Sequence, residues 1–139
     1  MALKNPTQLF PMVVTDDMAA TKRFYADVCG CTVQVDMGHY LQVGFGTGET
    51  DPVLCFMTPN GMPDGSVLPA FAGQGVLVSV PTDNADSKHS SLKANGGKPA
   101  SEPSSKPWGW RSFLIADPNG LMLDFFHVEK ENPMQHASS

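Results

Sequence analysis

Apolar residues divide the chain into two halves that carry the same succession of signals. FPMVV at 10–14 is apolar and β-branched, as a strand requires, and TDDMAATKRFYADVCG at 15–30 follows with helical spacing. Thr15 or Asp16 offers an oxygen to cap that helix; Ala20, Phe24 and Val28 recur on one face, and Gly30 supplies the stop. GVLVSV at 75–80 and PTDNADSKHSSLKANGG at 81–97 restate the pattern, with Asp83 as the cap, Ala85, His89 and Leu92 on a common face, and Gly96 at the end. A shift of 66 residues places Asp17 on Asp83, Ala19 on Ala85, Lys22 on Lys88 and Gly30 on Gly96. Identities that coincide with the same start, face and stop point to an internal duplication.

Strand-like segments follow each helix. They are CTVQVD at 31–36, YLQVGFG at 40–46 and PVLCFM at 52–57 in the first half, then a short piece near 97–100, WRSFLIA at 110–116 and LMLDFFHV at 121–128. GTGETD at 46–51 and DPNG at 117–120 have turn chemistry, so the strands they join are antiparallel neighbours. The predicted fold is α+β, two paired βαβββ modules forming a curved mixed sheet around a cleft. Its boundaries are module one over about 8–58, a Pro- and Gly-rich linker over 59–73, module two over about 74–129, and a peripheral tail over 131–139. The irregular stretch 98–109 is too long for a hairpin turn and is assigned to the cleft rim.

Size makes this one domain. Each half holds fewer than about 70 residues, too few for a comfortable core of its own, so the halves are expected to share one. Nine Lys+Arg against 14 Asp+Glu give a formal charge of -5, which disfavours nucleic acid as a partner. No apolar run approaches the roughly 18 residues of a membrane span, and MALKNPTQLF lacks the apolar region of an export signal. The expected location is the cytoplasm, with no membrane association. Cys29, Cys31 and Cys55 form no C-x-x-C pair and read as buried free thiols.

Several chemistries lack their motifs. His39, His89, His127 and His136 show neither H-x-x-x-H nor H-E-x-x-H spacing; GFGTG at 44–48 lacks the Lys and Ser/Thr of a phosphate loop; DPNGL lacks the ligand series of a calcium loop; no nucleophile elbow is present.

VVTDDMAATKRFYADVCG at 13–30, SVPTDNADSKHSSLKANGGKP at 79–99 and PWGWRSFLIADPNGLMLDFF at 107–126, in that order, resemble the glyoxalase/bleomycin-resistance/extradiol-dioxygenase superfamily, the vicinal oxygen chelate fold. The resemblance covers about residues 8–129 and implies cupped, paired modules, in many members as dimers. Its metalloenzymes carry His, Gln or Glu ligands on the first and last strands of modules. Transferred here, those positions fall on Phe10, on Val76 or Val78, within VLCF at 53–56, and on Asp124. Only Asp124 retains an oxygen ligand, with Gln8 or His127 the residues available to compensate; VLCF offers nothing that binds a hard or borderline metal well. The resemblance therefore implies a homodimeric protein of the bleomycin-resistance kind, with no cofactor or metal, that sequesters an aromatic and cationic small molecule. A metal-dependent lyase, isomerase or dioxygenase is the alternative.

The expected ligand-binding residues are Phe10, Tyr40, Phe56, Trp108, Trp110 and Asp124. Trp108 and Trp110, two apart, present flat area as stacked walls or else pack in the core. The phenylalanines, with Phe45 and Phe113, line an apolar wall or fill the core, and Asp124 places a carboxylate inside an apolar strand. Arg111 is expected to pair with Asp117 across the hairpin, and Tyr25 to pack under its helix.

Overall fold

The computed structural model describes residues 9–46, 51–62 and 64–130, so Gln8, His136, the tail and most of the GTGETD turn lie outside the described residues. The chain forms two compact units, the first comprising residues 1–74 with 118–120, the second 75–117 with 121–139.

In the first unit, β1 (Met12–Val14) leads into α1 (Met18–Arg23), which widens into a π-helical turn over Phe24–Val28; β2 (Thr32–Asp36), β3 (Tyr40–Gly44) and β4 (Val53–Met57) follow. The strand order is β1-β4-β3-β2, with β1 parallel to β4 and the other pairs antiparallel. Alternation sends Leu41, Val43, Leu54 and Phe56 to the face that meets Tyr25, and all five are essentially inaccessible.

The second unit repeats the plan. β5 (Leu77–Pro81) leads into α2 (Ala85–Ala94), followed by β6 (Ser104–Ser105), β7 (Trp110–Ala116) and β8 (Met122–Val128), ordered β5-β8-β7-β6. The βαβββ modules are thus both present, each with its own four-stranded mixed sheet. Ala85, His89 and Leu92 are the buried face of α2, as their spacing predicts, and His89 meets Phe113 edge-on at 5.0 Å.

The helix starts differ from expectation. Asp17, not Thr15 or Asp16, caps α1 by accepting from the Ala20 amide, and Asn84, not Asp83, caps α2 by accepting from Ser87. Thr15 is occupied elsewhere: its Oγ1 accepts from the Asp17 amide and donates to Asn119 Oδ1 at 2.6 Å. Asn119 in turn donates to Thr21 Oγ1 at 3.1 Å, so that Pro118–Gly120 belong to the first unit. The two caps stand 67 residues apart, whereas Gly30 and Gly96, both at positive φ beyond the helices, stand 66 apart. The first helix holds the extra residue, and the π-helical turn is where it is absorbed. The buried face of that helix accordingly runs through Thr21, Tyr25 and Cys29, one residue on from Ala20, Phe24 and Val28.

Two further expectations are corrected. The short strand is Ser104–Ser105 rather than 97–100, where Ala100 alone donates its amide to the Leu114 carbonyl of β7 and Pro99 has no N–H to give. Arg111 pairs with Asp86 in the first turn of α2, through Nε at 2.7 Å and Nη2 at 2.9 Å, rather than with Asp117. Cys29 and Cys55 are buried and in no disulfide, while Cys31 is only half-buried. Among the described residues no helix is long and apolar enough to cross a membrane.

Candidate functional site

Pairing fixes which side chains share the helix-free face of the second sheet. Ser79, Asp124 and Leu114 are aligned across β5, β8 and β7, flanked by Leu77, Met122 and Ala116 on one side and Pro81, Phe126 and Ser112 on the other. Asp124 is central and only 8% exposed. The Ser79 hydroxyl donates to its Oδ2 at 3.1 Å, and no Lys, Arg or His among the described residues forms an ion pair with it. A carboxylate so enclosed lacks most of the solvation it has in water and presents its charge to whatever occupies that face.

At the end of the same face stand three aromatic rings. Trp110 stacks on Phe126 with centroids 3.8 Å apart and planes inclined by 11°, while Trp108 meets Trp110 edge-on at 6.4 Å. The two tryptophans are therefore not parallel walls; Phe126 is the stacking partner of Trp110, and Trp108 keeps 43% of its surface exposed. Gly109 between them sits at φ +91°, where a Cβ would collide with the Lys130 carbonyl oxygen, so only glycine makes this turn comfortably.

The helix-free face of the first sheet carries a polar array. Tyr40, Gln42 and Gly44 lie opposite Met57, Cys55 and Val53. The Tyr40 hydroxyl lies 2.8 Å from Gln42 Oε1 and 3.2 Å from Cys55 Sγ, one proton facing two acceptors, and Gln42 Nε2 donates to Gln34 Oε1 at 2.6 Å. The missing side chain of Gly44 leaves room for the Gln34 amide. Burial, reinforced by the Cys55 contact, pushes the Tyr40 phenol well above its ordinary range; burial also pushes the Cys55 thiol up, against the lowering effect of the Tyr40 hydrogen bond.

The other expected site residues lie elsewhere. Phe56 is fully buried on the helix side of its sheet, 4.9 Å from Tyr25, and Phe113 is core in the second unit. Phe10 precedes β1, half-buried, and Phe45 follows β3, half-buried, 6.3 Å from Tyr25. Sequence reasoning missed Ser79, Gln34, Gln42, Cys55 and Phe126. The polar ones had a signal, a polar residue at an inward alternation of a strand, but which alternation faces the helix becomes known only with the pairing.

Among the described residues no three His, Cys, Asp or Glu side chains converge into a metal-holding group. The residue beside Asp124 on the first strand is Ser79, whereas Val78 points to the helix side with Leu123. His127 is also on the helix side, where its Nδ1 accepts from the Ala85 amide at 2.8 Å, so it does not join Asp124. One carboxylate and one hydroxyl do not fit the three-ligand set of a catalytic divalent ion. A depression of about 390 Å³ between α2 and residues 97–102, lined by His89, Lys93 and Glu102 among others, contains none of the expected site residues.

A family model for the glyoxalase/bleomycin resistance protein/dioxygenase superfamily matches residues 8–125, most of the chain. The chain belongs to that superfamily. Among solved structures, a glyoxalase/bleomycin resistance protein/dioxygenase from Nocardioides is 25% identical with a TM-score of 0.72, over 95% of this chain and 90% of that one. A glyoxalase/bleomycin resistance protein from a Streptomyces species is 24% identical with a TM-score of 0.63, covering 85% and 97%. A glyoxalase-related enzyme from Fulvimarina pelagi, 18% identical with a TM-score of 0.68 over 86% and 87%, shares the fold. No curated protein sequence matches. Superfamily and fold together support small-molecule binding; they are shared by enzymes and binding proteins, so the residues must decide between them.

Proposed function

We propose that this superfamily member is a small-molecule-binding protein that sequesters an aromatic, cationic compound without a divalent metal. The carrying observation is Asp124: a nearly inaccessible carboxylate whose recorded partner is one neutral hydroxyl, on the face that also holds Trp108, Trp110 and Phe126. A cationic ligand would supply the missing counter-charge, and an aromatic one would bury against the exposed Trp108 ring. Sequestration needs only binding.

The same proposal takes the protein as a cytoplasmic homodimer with no nucleic-acid or membrane partner. Both first strands are sheet edges, and apolar residues are exposed at or beside them: Met12 and Leu9 for β1, Val76 and Leu77 for β5. Such edges are usually covered.

Titration with bleomycin, and with benzyltrimethylammonium as a minimal aromatic cation, tests the reading through tryptophan fluorescence. Saturable quenching by the cation and none by neutral benzyl alcohol at equal concentration is expected. Equal responses to both, or none to either cationic probe, would overturn it.

A further inference from the structure

Three sulfur-bearing side chains stand on the helix-free face of the first sheet. β1 and β4 run parallel with Met12 and Cys55 as Cα partners, and Met57, two residues beyond Cys55, lies on the same face. On the other flank of β4 that face carries Gln42 opposite Cys55 and Tyr40 opposite Met57. The residues beside Cys55 on this face in the strand pairing thus carry two thioethers, an amide and a phenol, the phenol and amide within reach of its sulfur. None of these partner positions holds a carboxylate or an imidazole.

Charge and softness then select an ion. Cys55 is fully buried, and a divalent ion held by one thiolate and neutral thioethers would leave a net positive charge in a dry place. A monovalent ion cancels the thiolate charge and leaves the group neutral. Thioether sulfur is polarizable and a poor ligand for hard ions, and combined with a thiolate it suits Cu(I). We propose that Met12, Cys55 and Met57 form a binding site for a soft monovalent cation, Cu(I) or its analogue Ag(I). Binding replaces the Cys55 S–H bond with a sulfur–metal bond, and the proton passes to solvent; the metal's oxidation state does not change. Met12, 40% exposed on the edge strand, offers the ion its first ligand on the way to the buried thiol. This site is independent of Asp124.

The test is transfer of Cu(I) from its bathocuproine disulfonate complex to the reduced full chain, under argon. Wild-type protein is expected to take one equivalent at Cys55. Cys55→Ser loses it, and Met12→Leu with Met57→Leu, which roughly conserves volume, weakens it at least about tenfold. Cys29→Ser with Cys31→Ser leaves it intact. No transfer to the wild type, an unchanged equivalent in Cys55→Ser, unchanged affinity in the double leucine variant, or loss in the Cys29/Cys31 variant would each overturn the site. The double leucine variant carries the test if the serine variant fails to fold.

Discussion

Asp124 stands where an apolar residue would stabilise the sheet more. Its neighbours on the face are Leu77, Leu114, Met122 and Phe126, and Ser79 satisfies only one of its lone pairs. In the proposed function a ligand cation is its partner, whereas Phe56 needs none, because Tyr25 and the apolar helix side of its sheet already fill its surroundings. Tyr40 makes a separate prediction. Its phenol pKa is raised chiefly by burial. The stability this contributes is complete below the ordinary phenol range near pH 10 and is lost as pH climbs beyond it, because the unfolded chain ionises first. Urea unfolding of Tyr40→Phe should therefore show a shallower loss of stability than wild type between about pH 9.5 and 11. Equal slopes would mean that Tyr40 titrates alike in both states.

At the scale of elements, hydropathy made both βαβββ patterns legible, because a change from helical to alternating period survives small errors of boundary. Register did not survive them. The duplication aligned Asp17 with Asp83, but the residue absorbed by the π-helical turn makes Asn84 the structural counterpart, and the residue beside Asp124 is Ser79 rather than Val76 or Val78. Arg111 was drawn to Asp117 by sequence proximity, while the fold brings it Asp86 from α2. The cap assignment is directly testable. Asn84→Ala should cost about 1 kcal/mol in urea unfolding, and Asp83→Ala less than about 0.5 kcal/mol. The reverse order would return the cap to Asp83.

For the whole molecule, Asp124 was legible as a charge inside LMLDFF, and the Trp pair as aromatic punctuation before a strand. Their neighbours Ser79 and Phe126 were not, since they arrive from β5 and from the next turn of alternation in β8. The proposed dimer would cover the apolar residues at the edge strands β1 and β5, and light scattering should then give twice the 14.9 kDa chain mass at micromolar concentration. A single-chain mass would confine ligand contacts to one copy. The role of charge at Asp124 is read out by fluorescence titration of wild type and Asp124→Asn with benzyltrimethylammonium. The amide variant should fold and lose about thirtyfold or more in affinity, equal to roughly 2 kcal/mol. A folded Asp124→Asn protein that binds the cation as tightly as wild type would contradict it.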